Sequence, residues 1–160
     1  MKLKFVLFIL CAAAACMTSA KESSSSRFTD RGDGTVFDQV LKIRWIKAPH
    51  TLAINHDKVD WNAATAFCEQ LSYAGGAGWR LPTAAEIQSL VNHAAEFDES
   101  IIKRWVMNTK TPFSGPRHSH YWTGTVTPDD KVWSIYLFDG YLYASGKQEL
   151  RYVWPVCDSE

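Results

Sequence analysis

The residues best placed to do chemistry are few, and most have a plainer reading. His118 and His120 flank Ser119. In an extended segment they share one face, a spacing that two metal ligands can use. Two nitrogens are not a site, and no acidic or cysteine ligand lies nearby in sequence. Asp129-Asp130 offers carboxylates to calcium, but calcium takes about six to eight oxygens, and a turn between strands explains the pair. No metal and no cofactor are therefore expected. The chain has no Gly-x-Ser-x-Gly elbow, phosphate loop or zinc motif, so it is not expected to be an enzyme.

Ligand binding has better material. Asn108 to Ser119 reads as a long loop punctuated by Pro112, Gly115 and Pro116. Loops of that length are uncommon in compact domains unless they carry function or are disordered. Lys110, Arg117, His118 and His120 give it the only local excess of positive charge. Lys110 and Arg117 suit sulfate or carboxylate groups, and Tyr121 or Trp122 on the adjoining strand offers a flat face for a sugar. His118 and His120 would add charge as pH falls toward a reference pKa of about 6.5. The other aromatics (Trp133, Tyr136, Phe138, Tyr141, Tyr143, Trp154) divide between core and surface by strand alternation, and the sequence does not say which ring faces out. Arg31-Gly32-Asp33 spells an integrin-binding tripeptide, but the strands around it need that turn.

These residues depend on how the chain is divided. Lys2 and Lys4 precede the apolar run Phe5 to Ala15, and small residues follow, so residues 1–20 read as a signal peptide. Ala13-Ala14-Ala15-Cys16 also resembles a lipoprotein cleavage box, which would leave a lipidated Cys16 as the mature N-terminus after a signal of residues 1–15. Lys21 to Ser26 is a serine-rich tether, and residues 27–160 form a single domain. The chain has 17 basic and 17 acidic residues; cleavage after Ala20 removes two lysines and no acids, leaving a net charge near −2. That argues against nucleic acid and leaves membrane contact to the N-terminal lipid alone. Exported, Cys68 and Cys157 would sit in an oxidising compartment. Cys68 could be inert, a nucleophile or half of a disulfide; its one available partner, Cys157, makes the disulfide the expectation.

The elements follow from periodicity and caps. Arg27 to Asp30 and Thr35 to Asp38 flank an Asp-Gly turn, and Ile43 to Ile46 is a third strand. Lys47 to Lys58 is a polar loop. Asp60 caps a helix through Leu71, with Trp61, Ala64, Phe67 and Cys68 on its apolar face. Gly75, Gly76 and Gly78 close that pattern, and Trp79-Arg80-Leu81-Pro82-Thr83 leads into a second helix. Pro82 holds Leu81 extended, and Thr83 with Glu86 makes a capping box. Ile87, Leu90, Val91 and Ala94 make that helix's apolar face. Arg80 then has a structural role, pairing with a carboxylate or with backbone carbonyls. Phe97 to Val106 is amphipathic. Tyr121 to Val126, Val132 to Phe138 and Tyr141 to Ala144 are strands, the last two joined by a two-residue Asp139-Gly140 hairpin. Leu150 to Cys157 closes the fold, and Pro155 places it at an edge or a bulge.

Five of these segments in this order (Arg27 to Asp38, Asp60 to Leu71, Trp79 to Val91, Tyr121 to Thr125, Arg151 to Cys157) resemble the Lcl C-terminal domain of bacterial collagen-like adhesins. The resemblance implies an α+β, C-type lectin-like fold with two helices on mainly antiparallel strands. It implies an envelope-attached binding module for an acidic polysaccharide or a surface protein, and a homotrimer. The collagen-like stalk and strong positive charge of those adhesins are absent from this sequence. Relatives carry the closing cysteine in Val-Arg-Cys-Val-Arg, whereas Val153-Trp154-Pro155-Val156-Cys157 places it two residues later. A structural envelope lipoprotein that assembles with a protein partner is the alternative. The similar fold of formylglycine-generating oxidases, which use a cysteine pair to hold copper, is a more remote one.

Overall fold

The structure, a computed structural model, describes residues 27–95 and 111–158, and among these it forms two antiparallel sheets and two α-helices. The signal segment, Cys16, the serine tether, the 97–106 stretch and Lys110 lie outside the described residues. The first turn is local chemistry. Asp33 accepts from the Thr35 backbone N–H at 2.9 Å, and Gly34 adopts φ 88°. Strands β1 (Phe28–Asp30) and β2 (Thr35–Asp38) therefore pair in register Asp30 to Val36, and Arg31 and Asp33 are held in the turn between them. Strand β3 (Ile43–Ile46) pairs with β2.

Helix α1 (Trp61–Gln70) begins where Asp60 accepts from the Ala63 N–H at 2.9 Å. Strand β4 (Trp79–Arg80) buries Trp79, and Leu81 follows it into the core. Thr83 then opens helix α2 (Ala84–Ala95) with both halves of the expected box: Glu86 N–H donates to Thr83 Oγ1 at 3.2 Å, and Thr83 N–H to Glu86 Oε2 at 2.7 Å. Ile87, Leu90 and Val91 of α2 are buried in the main core with Val36, Trp45, Tyr121, Ile135, Trp154 and Val156.

The second sheet runs β5 (His120–Val126), β6 (Val132–Tyr136), β7 (Tyr141–Ser145). Tyr136 pairs with Tyr141, so the β6–β7 connection has four residues, Leu137 to Gly140, where the sequence suggested two. Leu137 leaves the ladder because its side chain is buried and its N–H donates to Ser119 O at 3.1 Å.

Two further expectations are corrected, and one loop is more ordered than its composition suggests. Strand β8 (Val156–Asp158) lies between β3 and β4, not at an edge; Pro155 stands just before it, and its carbonyl accepts from Ile46 N–H at 3.3 Å. The loop from 47 to 58 is pinned. It forms two 3-10 turns, and buried Asn55 donates to Pro49 O (2.7 Å) and Val153 O (2.6 Å) and accepts from Val153 N–H (2.8 Å). Finally, Cys68 and Cys157 are both free thiols. Cys68 packs with Ala64, Leu81, Trp122, Val132 and Val153. Cys157 belongs to the other core cluster, and its register partner across the ladder is Trp79. Its Sγ instead contacts Arg44 Nη2 (3.3 Å) and Ala77 O (3.2 Å).

Candidate functional site

The segment at 151–152 zips together two remote parts of the chain. Val59 and Arg151 exchange N–H···O=C bonds of 2.9 Å in both directions. On the other side, Tyr152 N–H donates to His120 O, and Trp122 N–H donates to Tyr152 O, both at 3.0 Å. Lys58, Tyr152 and the loop before β5 are thereby brought side by side. Arg117 is fixed there because its backbone N–H donates to Tyr121 Oη at 2.6 Å, while Phe113 and Pro116 of the same loop are buried.

The result is one half-buried ring with two cations against it. Arg117 Cζ lies 5.2 Å and Lys58 Nζ 5.5 Å from the Tyr152 centroid. Both side chains are exposed, and among the described residues neither has a carboxylate within ion-pair distance. Most other lysines and arginines here do: Lys47 is held by Asp30 (2.6 Å), Lys131 by Asp129 (3.0 Å) and Lys147 by Asp130 (2.5 Å). Two cations left without acids, over an aromatic face, make a surface suited to an anionic group attached to a ring.

An aromatic patch adjoins it. The His120 ring stacks on Tyr136, with centroids 4.4 Å apart and planes 8° apart, and meets Tyr143 edge-on at 5.5 Å. Tyr136 stacks in turn on Phe138 at 5.7 Å. Phe138, Tyr141 and Tyr143 are exposed, and the Tyr143 hydroxyl donates to Asp139 Oδ2 at 2.6 Å, which raises the phenol's pKa.

The proposed site residues fare unevenly. Arg117 and His118 are exposed on the loop as expected. His120 is present but is not an acid-switched contact. Burial, reinforced by Arg151 and Lys58, pushes its pKa below the ordinary histidine value, against weaker opposing pulls from Asp139 and Glu149. Its Nδ1 is buried with no hydrogen-bond partner.

Tyr121 and Trp122 are not available to a sugar. They are 1% and 0% exposed, since both faces of β5 are covered. Tyr121 packs 5.8 Å from both Trp154 and Tyr152. Trp122 lies in the α1 cluster with its indole N–H on Val59 O at 2.8 Å. Strand alternation cannot foresee burial on both sides. Lys58 and Tyr152 escaped the sequence reading because the bridges that bring them together link residues far apart in the chain. Among the described residues, no three His, Cys, Asp or Glu side chains gather as a metal ion would need.

The chain belongs to the Lcl C-terminal domain family, whose sequence profile matches residues 34–157. That span contains Lys58, Arg117 and Tyr152. No curated protein and no solved structure matches the chain.

Proposed function

We propose that this is a non-catalytic binding domain of the adhesin type, recognising acidic polysaccharide through Lys58, Arg117 and Tyr152. The observation that carries the reading is the pair of acid-free cations on the Tyr152 ring. A sulfate or carboxylate would pair with Arg117 and Lys58 while the sugar ring lies on the adjoining aromatic surface. Export, attachment through a lipidated Cys16, a C-type lectin-like classification and a homotrimeric state complete the proposal; they rest on the leader sequence and on the family. Retention of the full chain on immobilised sulfated and uronate-rich polysaccharides tests it. The expected retention weakens with salt and needs no calcium. Equal retention on neutral polysaccharide, or none on either, overturns it.

A second reading, assembly with an envelope protein, draws on Tyr141 and Tyr143. These exposed rings lie on β7, which ends the three-stranded sheet, and an edge strand can pair with another chain. A pull-down that survives loss of Lys58 and Arg117 would favour it.

A further inference from the structure

A further cleft with arginines in its lining stands elsewhere in the molecule. A cleft of about 510 Å³ is lined by Arg31, Arg44, the backbone at Gly75 to Ala77, Cys157 and Asp158. Its charges are unevenly matched. Asp158 shares Arg80 (2.6 Å) with Glu86 (2.8 Å), and Arg31 leans on Asp33 at 3.5 Å. Arg44 is half-buried, and among the described residues it has no carboxylate partner. Its guanidinium rests over the Trp79 ring at 5.7 Å and spends one N–H on the Cys157 sulfur.

A partly desolvated guanidinium without a counter-charge is costly unless something supplies one. The local backbone is shaped around it. A Cβ at Gly76 would stand 2.6 Å from Arg44 Nη2 and 3.3 Å from Cζ, so only glycine lets the guanidinium lie against this loop. One guanidinium with no carboxylate in contact, presented as a planar fork, fits one carboxylate better than a dianion. We propose that this cleft binds the carboxylate of a small organic acid or sugar acid, with Arg44 as the principal contact and Arg31 at the mouth. The site shares no residue with the Lys58–Arg117 surface and does not depend on it.

The test is titration of the ¹⁵N-labelled full chain with sodium acetate, matched by sodium chloride at equal ionic strength. The readouts are the arginine Nε–Hε signals and the amides of Gly75 to Ala77. The Nε–Hε signal missing from Arg44→Gln is expected to shift saturably with acetate and not with chloride, together with those amides. Arg44→Lys keeps the charge but loses the fork, and should weaken the amide response at least fivefold. An Arg44 signal that moves no more in acetate than in chloride overturns the proposal. So does an amide response that persists unchanged in Arg44→Gln.

Discussion

Arg80 and Glu86 meet fork to fork, Nη1 lying 2.9 Å from Oε2 and Nη2 2.8 Å from Oε1. The same carboxylate caps α2 at Thr83, and the same guanidinium reaches Asp158 on β8. One pair thus ties strand β4, helix α2 and the closing strand together. Arg80→Ala should cost about 1–2 kcal/mol once solvent screening of its partly exposed charge is allowed for. Burial pushes the Glu86 carboxyl up, but Arg80 and the Thr83 N–H outweigh that and leave it below the usual glutamate value. A depressed carboxyl adds stability that is full above its unfolded pKa of about 4.3 and is lost as pH falls through the folded value. Chemical denaturation between pH 3 and 6 should show this acid loss, reduced in Glu86→Gln.

Alkylation without reductant should modify both Cys68 and Cys157 in denatured protein. In the native state Cys68 should be inert, because burial pushes its thiol up to about 12 and leaves almost no thiolate at neutral pH. A peptide containing both residues joined by a disulfide would contradict the structure.

His120 has the opposite dependence from an acid-activated binding group. Its folded pKa is depressed, so below the unfolded value of about 6.5 the unfolded chain takes up the proton first and stability falls. The loss continues until pH drops through the folded value. Melting temperature should decline more steeply from pH 7 to 5 in the parent than in His120→Gln, and binding of acidic glycan should gain nothing from His120 in that range.

Tyr121→Phe removes the acceptor for the Arg117 N–H and should cost about 1–2 kcal/mol; Trp122→Ala empties a fully buried site and should cost about 3–5 kcal/mol. Equilibrium unfolding measures both. A near-neutral value for Trp122→Ala would mean that its ring is exposed after all, and one for Tyr121→Phe that the hydroxyl does not hold the loop.

What the sequence made legible was local. The Thr83–Glu86 box, the Asp60 cap, the Asp-Gly turn at 31–34 and the burial of Trp79 and Leu81 each depend on residues a few positions apart. Arg117 and His118 were found for the same reason, as a run of charge on one loop. Position in the sheet was not local. β8 became an interior strand because β4, some 80 residues earlier, pairs with it from Trp79 to Cys157. Other non-local contacts, the Val59–Arg151 and Tyr121–Tyr152 bridges, brought Lys58 beside Tyr152.

The central claim is that Lys58 and Arg117 form one anion-binding surface on Tyr152. It is tested most directly by the affinity of a Lys58→Ala/Arg117→Ala variant for a sulfated polysaccharide that the parent binds. The control is Lys47→Ala/Lys131→Ala, which removes equal charge from lysines already held by Asp30 and Asp129. Loss of two direct ionic contacts should weaken binding at least tenfold and flatten its salt dependence, whereas the control should change it by less than about twofold. Equal affinity in the parent and the Lys58/Arg117 variant would contradict the account.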